Sequence, residues 1–191
     1  MTVIATVGLP GSGKGEAANV AEELDVPVVT MGDVIRAECR DRDLDPATHH
    51  GQVAQALREE NGPAAIAERS LPLIEDALED SDVVLVDGVR SGVEVDEFET
   101  AFDGEFALVS IEAPFDVRAE RIDERGRDKG SDEGGESLEA RDERELGFGM
   151  GEAIDRADVS IDNTDSLDAF RARVRTLLTE GVAAYRSQYS Q

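Results

Sequence analysis

An α/β sandwich built on a parallel sheet is what the sequence predicts, and three observations carry the prediction. Short apolar, β-branched runs alternate with segments whose apolar residues recur at helical spacing. The first run enters a glycine-rich turn that opens onto one of those helices. Residues 83–86 are wholly apolar and flanked by Asp82 and Asp87, the pattern of a strand covered on both faces.

Each element follows in order. Residues 1–7 are apolar and β-branched and form a first buried strand, which runs into the glycine turn. Ala17, Val20, Ala21 and Leu24 then fall at i, i+3, i+4 and i+7, the stripe of an amphipathic helix. Residues 26–30 read as a second strand, with Pro27 at its start where a missing N–H is tolerated. From Gly32 to about Asp80 the pattern is helical, punctuated at Asp45-Pro46 and Gly62-Pro63, with Pro72 expected to kink the last segment. Residues 83–86 are a third strand, 106–111 a fourth and 157–161 a fifth, separated by helical stretches near 92–101 and 115–126. Between Gly126 and Gly151 glycine and charge dominate, an excursion from the core. The chain closes with Leu167, Phe170, Val174, Leu177, Leu178, Val182 and Tyr185 at helical spacing, a C-terminal helix with Asp165 or Ser166 as N-cap.

At 191 residues the chain suits one domain, 1–191, and its 40% hydrophobic content is enough for one core. Acidic residues outnumber basic ones 44 to 19, giving a net charge of −25. Such a field repels phosphodiester backbones and anionic lipid headgroups, so nucleic-acid and membrane-surface binding are disfavoured. Lysine occurs only at Lys14 and Lys129, and the carboxylates spread along the whole length. This is the composition of a halophilic cytoplasmic protein, in which concentrated salt shrinks the Debye length to about 3 Å at 1 M and screens self-repulsion. Cys39 stands alone, which excludes an intramolecular disulfide framework and a thiolate zinc site and fits a reducing compartment. No basic segment followed by an apolar run opens the chain, and no stretch approaches the ~18 apolar residues of a membrane span. No feature of the sequence sets an oligomeric state.

The chemistry concentrates in Gly8-Leu9-Pro10-Gly11-Ser12-Gly13-Lys14-Gly15. Gly8-x-x-x-x-Gly13-Lys14 matches the first seven positions of the phosphate-binding P-loop, with a strand before it and a helix after it. Glycines let the backbone curl so that several N–H groups converge on one anion, and the helix N-terminus adds partial positive charge. Lys14 is placed to reach the β- and γ-phosphates of a nucleotide. At Gly15 most such loops carry the Ser or Thr whose hydroxyl ligates Mg2+. Glu16 follows, either a substitute metal ligand or an outward-facing first-turn acid favoured by the helix dipole.

Pro10-Gly-Ser-Gly-Lys-Gly15 resembles the loop of adenylate kinase and its nucleoside-monophosphate kinase relatives, which also read lysine then glycine but follow with threonine. The resemblance extends to Thr30-Met-Gly32-Asp33-Val-Ile-Arg36, which looks like the segment lining the acceptor pocket and implies that Gly32 and Asp33 help form it while Arg36 holds the acceptor. A guanidinium fork suits two oxygens at once; an ordinary surface ion pair is the competing account of Arg36. Asp87-Gly-Val-Arg90 follows the third strand, at the carboxyl edge where ligands bind in open α/β sheets. Asp87 fits the role of holding Mg2+, or alternatively that of a helix N-cap, and Arg90 resembles a second acceptor-site arginine in a segment one residue shorter than the family's.

Arginines also flank the glycine-rich excursion: Arg118, Arg121, Arg125 and Arg127 before it, Arg141 and Arg144 after it. In the related kinases a lid at about 126–151 brings such groups onto the transferring phosphoryl, and Arg127, Arg141 and Arg144 are the expected contributors. Asp162-Asn163-Thr164 sits where those kinases touch adenine, although a plain strand-to-helix turn explains it as well. His49 and His50 are adjacent and cannot both face one ligand from a helix.

Taken together these motifs resemble the P-loop kinases of the adenylate kinase and dephospho-coenzyme-A kinase type, closest to an archaeal, halophilic branch of that group. The resemblance implies a three-layer α/β/α P-loop NTPase fold with a five-stranded parallel sheet and a lid insertion. It also implies ATP and Mg2+ as phosphoryl donor and cofactor, residues 31–80 as a helical acceptor-binding region, and a small, nucleotide-like acceptor as partner. An ATP-dependent switch or sensor with little kinase activity is the alternative.

Overall fold

Five parallel strands in the order β2-β3-β1-β4-β5 form a single sheet in the computed structural model, which describes residues 1–125 and 137–189. β1 (Thr2–Val7) runs down the middle, paired with β3 (Val83–Asp87) and β4 (Phe106–Glu112); β2 (Val28–Thr30) and β5 (Val159–Asp162) are the edges. The register sets Thr6 beside Asp87, so the carboxyl ends of β1 and β3 share one edge.

Alternation along the strands divides the core. Val3, Ala5, Val7, Val84 and Val86 point to one face, where they pack with α2 (Met31–Asp41), α3 (Pro46–Asn61), α4 (Ala65–Asp80), α5 (Gly92–Ala101) and α8 (Met150–Asp155) through Val34, Leu57, Ile66, Phe98 and Met150. Ile4, Leu85, Val109 and Ile161 point to the other, against α1 (Lys14–Glu23) and α9 (Leu167–Tyr189) through Val20, Phe170 and Leu177. The result is the three-layer α/β/α P-loop NTPase architecture expected from the strand–loop–helix order. α6 (Phe115–Arg125) and α7 (Leu138–Gly147) stand at the carboxyl edge of the sheet on either side of the undescribed stretch 126–136.

Residues 31–80 are three helices, tied by ion pairs from Arg42 to Glu38 and Glu60 and from Arg69 to Glu38. The arginines beside Glu38 hold its carboxyl below the usual range, through the Arg42 hydrogen bond first, against the opposing effect of desolvation. α4 runs from Ala65 to Asp80 with Pro72 inside it, and Ile66 and Ile74 on either side of that proline are both buried in the core. One helical expectation needs refinement. The C-terminal helix is interrupted at Gly181, where φ 84° and ψ 173° are non-helical, so what periodicity reads as one helix is two segments. Leu177 and Tyr185 flank the break and both remain buried, which keeps the apolar stripe continuous across it. Two strands start later than the pattern predicts, at Val28 and Val159, although the Pro27 carbonyl already accepts the Leu85 N–H at 2.9 Å. No helix among the described residues is long and apolar enough to cross a membrane.

A candidate phosphate-binding cleft

The glycine-rich turn links β1 to α1, and its conformation is possible only because its glycines lack side chains. At Gly13 φ is 122°, and a Cβ there would meet Asn163 Nδ2 at 2.3 Å. At Gly8 a Cβ would lie 2.4 Å from the Ile111 carbonyl oxygen. The loop carbonyls are engaged from outside: Asn163 Nδ2 donates to Ser12 O at 2.7 Å and Arg118 Nη1 to Pro10 O at 3.0 Å. Lys14 Nζ donates to Gly8 O and, at 3.4 Å, to Leu9 O. α1 opens at Lys14 with Gly13 as N-cap and no side chain capping its first turn, which leaves its N-terminus suited to an anion.

Lys14 sits in a cleft of about 240 Å³ that also takes in Gly8, Pro10, Gly32, Arg36, Asp87, Arg90 and Arg141. The structure therefore brings together residues predicted separately from four stretches of sequence. Burial lowers the Lys14 pKa from 10.5 to about 8; the Asp87 and Glu145 carboxylates pull it up, and Arg90 and Arg141 push it down. Asp87 lies at the end of β3 and its Oδ1 accepts from Thr6 Oγ1 at 3.0 Å, so the neighbouring strand orients the carboxylate. Arg90 Nη1 pairs with Glu145 Oε1 at 2.7 Å, joining the β3 edge to α7.

Four cleft residues have no counterpart among the predicted ones. Arg58 on α3 and the fully buried Glu94 on α5 form an ion pair at 3.2 Å, and the other Glu94 oxygen accepts the Arg90 backbone N–H at 2.8 Å. Glu145 lines the same space at 3% exposure, as does His50. Ser91-x-x-Glu94 is a capping-box pattern, and Ser91 does cap α5; that was the available sequence signal for Glu94. Arg58 carried none, since an arginine in an acid-rich helix looks like any surface partner.

Other predicted residues take different places. Glu16 turns away from the loop toward α9: it pairs with Arg171 and accepts from Asn19 Nδ2 at 3.0 Å, the arrangement of an outward-facing first-turn acid. Asp33 is exposed and pairs with Arg36 at 2.7 Å on the cleft rim, beside Gly32, whose missing Cβ leaves room for the guanidinium. Arg144 Nη2 reaches Glu145 Oε1 at 3.3 Å. Arg127 lies outside the described residues. Arg118 is buried and bidentate to Asp142 at 2.9 and 2.6 Å, fastening α6 to α7. Arg121 donates to the Asn163 carbonyl at 2.7 Å. Asn163 thus serves the loop itself, while Asp162 Oδ1 accepts the Thr164 N–H at 2.8 Å in an Asx turn. His49 bonds locally to Thr48 and Asp45, and among the described residues no group of three or more His, Cys, Asp or Glu could hold a metal ion.

Comparison with known proteins gives the chain's family and matches its fold. The family model described as an AAA domain matches residues 7–139. A UPF0200 protein from Halobacterium salinarum is 61% identical over 178 residues, covering 93% of each chain. A UPF0200 protein from Methanosarcina mazei is 46% identical over 187 residues, covering 96% of this chain and 97% of the relative. Among solved structures, a gluconokinase from Sinorhizobium meliloti aligns with a TM-score of 0.59 at 18% identity, over 100% of this chain and 97% of that one. Shikimate kinase from Acinetobacter baumannii in complex with shikimate aligns with a TM-score of 0.56 at 17% identity, over 94% and 92%. Those two likenesses are of fold. The sequence matches go further: this chain belongs to the UPF0200 family and carries its AAA domain from strand β1 into helix α7.

Proposed function

We propose that this protein is an ATP-dependent phosphotransferase that moves the γ-phosphoryl group of ATP to a small acceptor. The single observation that carries the reading is Lys14 at the uncapped mouth of α1, in one cleft with Asp87 and the arginines Arg36, Arg58 and Arg90. In a chain of net charge −25, this concentration of cations around a backbone cradle serves a polyanion. That its fold is shared with proteins named as a gluconokinase and a shikimate kinase supports a kinase over other uses of the fold. Within kinases, the lysine-glycine loop and Asp87-Gly-x-Arg90 favour the adenylate kinase and dephospho-coenzyme-A kinase type.

The loop amides and Lys14 hold the triphosphate, and Arg36, Arg58 and Arg90 orient the acceptor against it. Arg141 and Arg144 on α7 meet charge spread over the transferring oxygens. Catalysis of this kind is mainly positioning and electrostatics. Asp87 fits Mg2+: a hard oxygen donor oriented by Thr6 at the cleft floor, with phosphate oxygens and water left to complete the shell, as this ion prefers. Mg2+, when bound, neutralises phosphate charge.

The test is ADP release at high KCl with a panel of acceptors, alongside nucleotide binding by calorimetry. Acceptor-stimulated ADP production that Lys14→Ala abolishes is the expected result. Equal ATP affinity in the wild type and Lys14→Ala refutes the proposal.

A further inference from the structure

One guanidinium joins the glycine-rich loop to α7. Arg118 on α6 is 4% exposed, and its donors go to three parts of the chain. Nε donates to the Ala113 carbonyl at 3.1 Å, just before α6, and Nη1 to the Pro10 carbonyl, within the loop, at 3.0 Å. Nη1 and Nη2 also take the two oxygens of Asp142, on α7, at 2.9 and 2.6 Å. The Phe115 ring lies against the guanidinium, 5.5 Å from its carbon to the ring centroid. A planar fork held along its edges and on its face keeps one orientation, which the single ammonium of a lysine does not reproduce.

The contact with the loop is close packed as well as polar. At Gly11, where φ is 80°, a Cβ would lie 2.9 Å from the Arg118 carbonyl oxygen and 3.1 Å from Arg118 Cβ. Loop and helix backbones leave no slack between them, so a shift of one moves the other. On its far side the guanidinium holds Asp142, the neighbour of Arg141, and Arg141 lines the cleft with Lys14. The Arg141 charge opposes protonation of Lys14, so an anion received between the two cations relieves a repulsion. One turn further along α7, Glu145 pairs with Arg90 at the β3 edge. Loss of the Asp142 carboxylate therefore leaves α7 attached through Glu145 while Arg141 loses its fixed relation to the loop.

We infer that Arg118 is a positioning residue: through Asp142 it sets Arg141 against the terminal phosphate of a nucleotide held in the loop, so that preference for a triphosphate over a diphosphate depends on the Arg118–Asp142 pair. This rests on the phosphotransfer reading above and adds to it the link between the cradle and the arginine of α7. Arg118 acts without touching the nucleotide. Its carbonyl and carboxylate partners occupy the edges of the fork, and Arg141 makes the phosphate contact.

The experiment is calorimetry on the full chain at fixed high KCl and MgCl2, with ADP and the non-hydrolysable β,γ-imido analogue of ATP as the two probes. The wild type is expected to bind the analogue at least about tenfold more tightly than ADP. Asp142→Asn, which releases α7 but leaves Arg118 on the Pro10 and Ala113 carbonyls, should keep the ADP Kd within about twofold and abolish most of that preference. Arg141→Ala should abolish it too. Adding Asp142→Asn to Arg141→Ala should then leave the ratio of the two Kd values unchanged, although Tm falls as much as it does in the wild-type background. Asn163→Ala, which loosens the loop from the β5 side, should weaken both probes alike, so that loss of loop order by itself does not move the ratio. Equal weakening of both probes in Asp142→Asn overturns the inference, because a merely structural pair gives that result. So does a further fall in the ratio when Asp142→Asn is added to Arg141→Ala. Should Asp142→Asn fail to fold, Arg141→Ala decides alone, and full retention of the preference in that variant overturns the inference. Wild-type protein that binds both probes equally overturns it while leaving the cradle intact. Wild-type protein that binds neither removes the phosphotransfer reading itself, and this inference with it.

Discussion

Replacing Lys14 with methionine removes the charge while keeping the length of the chain, and its effect is set by one number. In the folded protein this ammonium gives up its proton near pH 8, against 10.5 in an open chain, because burial disfavours the charged form. At about 1.36 kcal/mol per pH unit, the gap is worth about 3 kcal/mol in total. The sign follows from linkage: between pH 8 and 10.5 the unfolded chain still binds a proton that the folded chain has released, so the free energy of unfolding rises with pH through that window. From pH 7 to pH 9.5 Lys14 alone should add about 2 kcal/mol to wild-type stability. Urea unfolding followed by circular dichroism at fixed KCl measures this, with Lys14→Met as the reference that lacks the group. The wild-type minus Lys14→Met difference should climb steadily with pH, and saturating ATP should flatten it by holding the proton on the lysine. A difference constant within about 0.5 kcal/mol from pH 7 to 9.5 refutes the argument that this lysine is desolvated beside the loop.

Three further outcomes follow from the contacts. Asn163→Ala removes the 2.7 Å bond to the Ser12 carbonyl and should lower stability by about 1–2 kcal/mol while weakening ATP binding severalfold, measured by urea unfolding and calorimetry. Glu94→Ala leaves Arg58 in the cleft wall without its carboxylate; a loss of about 3–5 kcal/mol is expected, read as a fall in Tm of about 10 °C, whereas Glu94→Gln should lose less. Raising KCl from 50 mM to multimolar should raise Tm continuously, since a chain of net charge −25 repels itself until screened; equal Tm at both ends rejects the halophilic reading.

The strands and the loop were legible because their signals are local. Residues 83–86 are apolar without interruption, and Gly8 and Gly13 stand before Lys14 at the P-loop spacing. Asp87, Arg36, Arg90 and Arg141 could be found because they follow strand ends or flank the charged excursion, and the fold brings those places together at one edge of the sheet. What the sequence hid is pairing across long separations. Arg58 and Glu94 meet 36 residues apart, Arg90 and Glu145 55 apart, and Asn163 reaches Ser12 over 151. With 44 acids available to 19 bases, no periodicity says which pair is buried and which is solvated. Glu16 is the converse case: its position beside the lysine looks catalytic, and only the approach of Arg171 from α9 shows its direction. Gly181 was invisible for a further reason, since the apolar stripe passes across it unbroken while the backbone does not.

The dependence of the loop on Asn163 has a consequence for biosynthesis. The motif is complete by Gly15, but the amide that fixes its shape lies 151 residues beyond the Ser12 carbonyl it bonds, after β4 and α6 and at the close of β5. A nascent chain halted before that point carries the sequence of the cradle without its form. Nucleotide capture should therefore switch on late in translation, and an N-terminal fragment is no substitute for the whole.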